Sequence, residues 1–181
     1  MAVTVAIAGL NATPHRAVAH LPTVWCGERL AGVYTAISPE MRVDYSAVRH
    51  GDVVEIHAAL HGTFGCACSR CATPVEVALA TEFAQHFVGP GHLDAGGDPE
   101  IGGFDGDPDV SEHDGVVADL TELCIEYAIL ALPDVPLCRE DCRGLCPSCG
   151  TNRNEEVCGC AAQPTRASPW AKLAELRVPK S

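Results

Sequence analysis

Six cysteines fall within 23 residues, Cys138, Cys142, Cys146, Cys149, Cys158 and Cys160, in the run CREDCRGLCPSCGTNRNEEVCGC. Thiols at this density become disulfides, a redox centre or a metal site, and each outcome forces a different fold on the segment. The Cys-Pro-Ser-Cys-Gly stretch at 146–150 favours metal. Two thiolates separated by two residues point at one ion, and Gly150 supplies the positive-φ conformation that such a turn needs. An earlier pair, Cys68-Ser-Arg-Cys71, has the same gap.

The compartment bears on that choice. No stretch reaches the ~18 apolar residues needed to span a bilayer. The opening MAVTVAIAGL lacks a basic leader and is interrupted by Asn11, His15 and Arg16, so it reads as a strand rather than a signal peptide. The expectation is a cytoplasmic protein, where clustered cysteines serve as metal ligands or redox groups more often than as disulfides. The charge is uneven. Residues 1–137 hold 5 Lys/Arg against 19 Asp/Glu, and residues 138–181 hold 7 against 5. A wholesale phosphate-binding surface does not fit such a body, which leaves a basic protein partner or a local contact made by the C-terminal part.

Alternation predicts strands at Val3–Leu10, at 53–64 (VVEIHAALHGTF) after a Gly51-Asp52 turn, and at Val75–Val88. Cys68–Cys71 is then the tip of a hairpin. Pro14–Pro39 is mixed and carries no clear assignment. Residues 89–118 are rich in Gly, Pro and Asp, with eight acids and no Lys or Arg between Asp94 and Asp114. The plain reading is a solvated flexible loop, and the sharper one is an acidic arm that docks on a basic partner. Asp119-Leu-Thr-Glu122 resembles a capping box. It opens a helix whose apolar stripe is Leu120, Leu123, Cys124, Tyr127 and Ala131, with Pro133 and Pro136 ending it. A short second helix is expected over Pro169–Leu176. The fold class expected is α+β: an antiparallel sheet or small barrel over 1–137 with a central helix, and a cysteine-rich zinc ribbon with its tail over 138–181.

Eight cysteines group into two four-thiolate sites. Cys146, Cys149, Cys158 and Cys160 make a local ribbon. Cys138 and Cys142 lack a local partner pair, and so do Cys68 and Cys71, so these two halves should meet. Cys66, two residues before Cys68, competes with it for the same place. Spacing leans to zinc, two structural ions in all, but leaves an iron–sulfur cluster open. Redox chemistry at Cys68–Cys71 fits less well, because a thioredoxin-like pair opens a helix and both flanks here read as strands. Cys124 reads as a small buried hydrophobe. His57 and His61 share one strand face, whose plain reading is a partly exposed surface. There is no nucleophile elbow, P-loop or dinucleotide fingerprint, and no catalytic set emerges.

The segment LPDVPLCREDCRGLCPSCGTNRNEEVCGC resembles the C-terminal signature of the YceD family. Ala128–Pro133 matches the lead-in, Cys68-Ser-Arg-Cys71 matches a CxRC element, and Pro-Trp-Ala-Lys-Leu at 169–173 is similar to the usual tail. The resemblance covers roughly residues 45–176, with Arg153 and Cys66 as departures. It implies a cytosolic factor for accumulation or processing of large-subunit ribosomal RNA. The partners it implies are a large-subunit ribosomal protein, precursor ribosomal RNA or both, with no membrane and no small-molecule substrate. The reading is therefore a non-enzymatic assembly factor with structural zinc. The alternatives are an RNA-processing nuclease, which needs clustered carboxylates for magnesium, and a thiol redox sensor.

Overall fold

A computed structural model describes residues 2–30, 32–92 and 109–160. Three long strands form its frame: β4 (Glu40–His50), β5 (Val53–Ala67) and β6 (Pro74–Val88). They form because the chain alternates. On β5, Val54, Ile56, Ala58 and Leu60 are buried while His57 and His61 face solvent. The expected turn at Gly51-Asp52 joins β4 to β5, with Gly51 at φ +63. The histidine pair lies on the open face as read. His57 Nε2 is 2.8 Å from Glu55 and His61 Nε2 is 3.9 Å from Asp44.

The other strands fill the sheet edges. β2 (His15–Pro22) pairs with β4, and β3 (Tyr34–Ala36) pairs with Phe64–Cys66 of β5 beyond the point where β4 ends. A third, β7 (Val110–Glu112), joins β6 in parallel. The sheet is therefore mixed rather than wholly antiparallel. It does not close: no pairing joins β2 to β7 among the described residues, so the barrel form is excluded. A separate two-stranded ribbon pairs β1 (Thr4–Ala6) with β8 (Val117–Asp119). The expected Val3–Leu10 strand keeps its burial alternation at Val3, Val5 and Ile7 but is only three residues long, because the chain turns at Gly9, φ +93. Residues 109–119 also depart from the loop reading, since β7 and β8 lie there. Their connection is fixed by Asp114, whose Oδ1 accepts from Val116 N and Val117 N at 2.7 and 2.6 Å. The acidic residues 93–108 and the expected helix at 169–176 lie outside the described residues.

Two helices complete the described fold, α1 (Trp25–Arg29), in the stretch without a sequence assignment, and α2 (Thr121–Ala131). The expected capping box does not form. Leu120 is the cap residue, and Asp119 instead accepts from Thr121 N at 2.8 Å. Leu120 N donates to Val3 O and Val3 N to Thr121 Oγ1, which ties the helix to the β1 end. The buried stripe is Leu120, Cys124, Ile125, Ala128 and Leu132, rotated from the expected one, and Ala131 is exposed. Glu122 and Glu126 are the only charges in the helix, so periodicity defines its face poorly. Small Cys124 and Ala128 let the helix approach closely, while Tyr127 still stacks on Phe83 of β6 at 4.4 Å and 5°. One core results, running from the β1–β8 ribbon through both helices to the inner sheet face. Leu132, extended before Pro133, ends α2 as expected.

Phe64 is fully buried and lies 5.9 Å from the Trp25 ring. Phe64→Ala should cost about 3–5 kcal/mol, read by urea denaturation. Val18→Thr on the open face should stay within about 0.5 kcal/mol of the parent. A small loss at Phe64 would show that the core is misplaced.

Candidate metal centre

β5 and β6 are joined by six residues that form a tight knuckle. Cys68 N donates to Thr73 O at 2.9 Å, and Ala72 N donates back to Cys68 O at 2.9 Å. The turn puts Ala72 at φ +58, the only positive φ on a non-glycine residue among those described. The same turn recurs downstream. Cys146 N donates to Thr151 O at 2.8 Å, Gly150 N to Cys146 O at 2.9 Å, and Gly150 sits at φ +75 as the sequence predicted. In each knuckle the threonine hydroxyl lies 3.2 Å from the second sulfur, Thr73 on Cys71 and Thr151 on Cys149. The equivalence is visible in the sequence as CSRCAT and CPSCGT, a signal that the cysteine spacing alone does not convey.

After α2 the chain runs back to the hairpin tip. Tyr34 hydroxyl donates to Pro133 O at 2.5 Å, and Ser69 N to Pro136 O at 2.8 Å. These contacts deliver Cys138 and Cys142 to the first knuckle. Cys68 and Cys142 sulfurs are 3.8 Å apart, and Cys71 and Cys138 sulfurs 3.6 Å. All four lie within 4.8 Å of one another. Four thiolates at ~2.3 Å from a tetrahedral ion stand roughly 3.8 Å apart. The spacing therefore fits one ion, and all eleven cysteines are free thiols. Cys68, Cys71 and Cys142 are buried, with Val75 and Leu137 packed against them. Cys146, Cys149, Cys158 and Cys160 form the second group, also within 4.8 Å. There only Cys146 is buried, and Cys149 and Cys160 are exposed. Such donor sets can hold zinc or another thiophilic ion, with no protein position left open for water.

Cys66 stands outside both groups, half-buried on β5, its sulfur 3.8 Å from Val75 O. Cys26 and Cys124 are core residues. Burial pushes the Cys124 thiol up to about 12, as expected of an inert one.

The thiols of each group split. Burial raises Cys68, but backbone N–H groups of Cys138, Arg70 and Cys71 outweigh it and bring it down to about 6. Cys142 is likewise raised by burial yet falls overall, through the Asn154 side chain and Gly144 N–H. Cys138 goes up to about 12, through burial and then its contacts with Cys71, Cys142 and Cys68. In the second group, N–H groups of Cys149 and Ser148 bring Cys146 down to about 6, and the Thr151 hydroxyl lowers Cys149. Cys146 raises Cys158, and Cys149 pushes Cys160 up to about 12. Without a cation, neighbouring thiolates repel, which is part of why Cys138, Cys158 and Cys160 are raised. A divalent ion among the four sulfurs would remove that conflict.

Other residues that position the sulfurs carry no pattern readable from sequence. Gly144, φ +69, lies so near the hairpin that an added Cβ would stand 3.0 Å from Arg70 O. Leu145 N donates to that same carbonyl at 3.1 Å, and Arg70 Nη1 donates to Cys142 O at 3.0 Å. Asn152 and Asn154, in the loop between Cys149 and Cys158, reach back toward the first group.

Residues 56–177, about two thirds of the chain, match the family described as "Large ribosomal RNA subunit accumulation protein YceD". Uncharacterized proteins of Mycobacterium bovis and Mycobacterium tuberculosis are each 31% identical over 127 residues, 63% of this chain and 51% of theirs. An uncharacterized protein of Mycobacterium leprae is 39% identical over 67 residues, 36% of this chain and 29% of its own. The chain thus spans about half the length, or less, of the curated relatives it matches. No solved structure matches it.

Gly144→Ala should cost at least about 1–2 kcal/mol from left-handed backbone alone, before its contact with Arg70. Gly159→Ala, with nothing within 4 Å and no positive φ, serves as the neutral control in the same denaturation series. Ligation needs thiolates, so protons compete with metal. Free Cys68 and Cys146 take up protons below about 6, so metal affinity should weaken progressively as pH falls below that point. The exposed second group should empty first. Metal content unchanged after dialysis at pH 4 would contradict this.

Proposed function

The chain belongs to the YceD family, the large ribosomal RNA subunit accumulation proteins, and from that premise we propose that it is a non-enzymatic assembly factor for the large ribosomal subunit whose cysteine-rich segment is built on two structural zinc ions. The two four-sulfur groups carry this reading. Cys68, Cys71, Cys138 and Cys142 would hold one ion and pin the segment to the β5–β6 tip. Cys146, Cys149, Cys158 and Cys160 would hold the other and shape the ribbon beyond. A closed four-thiolate shell makes an ion architectural, since substrate has no coordination position to enter.

Charge supports the partner class. The body, 5 basic against 19 acidic residues over 1–137, suits a basic large-subunit protein. The ribbon exposes Arg143 and Arg153, which suit a local contact with precursor ribosomal RNA. Arg139 is already engaged, by Asn154 Oδ1 at 2.7 Å and Asp141 at 3.4 Å. Such work belongs in the cytoplasm. Among the described residues no helix is long and apolar enough to cross a membrane. Nor do carboxylates there gather with other ligating side chains into a third group that would serve a magnesium-dependent nuclease.

Mass spectrometry of the native protein should find two zinc ions per chain, with one lost in Cys68→Ser and one in Cys146→Ser. Cells lacking the protein should accumulate less mature large-subunit ribosomal RNA. A large-subunit protein or precursor RNA should co-purify with it at low salt. Unchanged ribosomal RNA profiles with no co-purifying partner would sink the assembly role. Magnesium-dependent cleavage of precursor RNA by the pure protein would replace it with an enzymatic one.

A further inference from the structure

The loop between Cys149 and Cys158 belongs to the second tetrad by its ends, but its middle is spent on the first. Asn154 Nδ2 lies 3.2 Å from Cys142 Sγ. Its Oδ1 accepts from Arg143 N at 2.8 Å and from Arg139 Nη2 at 2.7 Å, both within or beside the Cys138–Cys142 turn. Those two partners can only donate, so they fix which end of the amide is oxygen and leave the NH2 group facing the sulfur. Asn152 Oδ1 accepts from both Asn154 N and Asn154 Nδ2, at 3.1 and 2.9 Å, which braces the side chain from behind. The loop backbone is held to the same place. Arg153 N donates to Gly144 O at 3.0 Å, and Leu145 pairs with Asn152 in one antiparallel rung.

The two tetrads differ in access. The first has three buried sulfurs, whereas the second has one, with Cys149 and Cys160 in solvent. A chelator or competing thiol meets the second ion first. Losing it frees the ends of the loop that carries Asn154.

Resting on the reading that both tetrads bind a cation, we infer that the second tetrad is a clip for the first: its ion closes the 149–158 loop and holds Asn154 as an N–H donor on the Cys142 thiolate, so that an ion in either site tightens the other. Asn154 is the positioning residue. An N–H bond to a ligating thiolate draws off part of its charge, which eases four thiolates around one divalent ion. Removing such an outer partner typically costs 10–100-fold in metal affinity. Linkage makes the effect mutual, so an ion in the first site tightens the second by the same factor.

The test uses the full chain, zinc in competition with a chromogenic chelator, and cobalt(II) as a spectroscopic probe. Wild type should bind two ions cooperatively. Cys146→Ser should bind one, at the first site, with affinity lowered about 10–100-fold. Asn154→Ala should still bind two, with the first site weakened by a similar factor and its sulfur-to-cobalt charge-transfer band shifted. Because Cys146→Ser has already released the loop, adding Asn154→Ala to it should weaken the first site little further. A general loss of stability would instead leave the band where it was. If wild type binds two ions and Asn154→Ala matches it in affinity and spectrum, the coupling is wrong and the two structural sites stand. Fully additive losses in the double variant also refute it. If wild type binds no metal, the reading beneath it fails as well.

Discussion

The described residues beyond α2, 132–160, are placed by four sulfurs that come from two distant parts of the chain. Cys68 meets Cys142 across 74 residues, and Cys71 meets Cys138 across 67. Residues 132–160 contain no helix and no strand beyond one backbone rung, so no ladder orders them. Burial does little more, since Val157 is 94% exposed and Leu145 42%. A segment this short of core cannot offset its ordering entropy by apolar contact. What it does have is eight sulfurs at coordination spacing, counting the hairpin pair, and hydrogen bonds that run from one knuckle to the other.

The sheet gives the knuckle its reach. β5 and β6 are each 15 residues long, and only part of that length lies over the core. β4 leaves β5 at Arg42, opposite His61, and β3 continues the edge to Cys66, so the hairpin stays paired almost to the first ligand position. Tyr34 on β3 is buried and also bonds Pro133 O. The strand that stiffens the hairpin thus also holds the chain leaving the helix, and both halves of the first tetrad rest on one rigid support.

The sequence and the structure agree most where a short-range rule acts alone. Alternation in VVEIHAALHGTF and VEVALATEFAQHFV was enough to place β5, β6 and the tip between them. Pairing logic among cysteines was enough to join the two half-sites. Agreement fails where the deciding partner is remote. β7 is three residues whose parallel partner lies across residues 93–108. β2 hides in a mixed stretch because its inner face uses small Ala17 and Ala19, which fit an edge strand without announcing one. The α2 stripe is rotated, with Leu120 and Cys124 buried as expected but Ile125, Ala128 and Leu132 in place of Ala131, because nearly every side of that helix is apolar. Ala72 in the left-handed region, Gly144 against Arg70 and Asn154 on Cys142 follow from how two loops pass each other, and no spacing encodes that. Thr73 and Thr151 lie between these cases, legible once the two knuckles are laid side by side.

The unequal spans of the two tetrads bear on how a growing chain acquires its ions. Cys146 to Cys160 is 15 residues, and Cys68 to Cys142 is 75. A flexible loop five times longer costs about 1.4 kcal/mol more to close. The larger difference is that the long loop closes only once the β5–β6 hairpin is paired and α2 is in place. The short one can close on a chain that has folded nothing else. The ribbon would therefore take an ion as soon as its own residues are free, while the hairpin site would wait for the body. On that order of events, the later tetrad would be metallated first and would hold Asn154 ready for the earlier one.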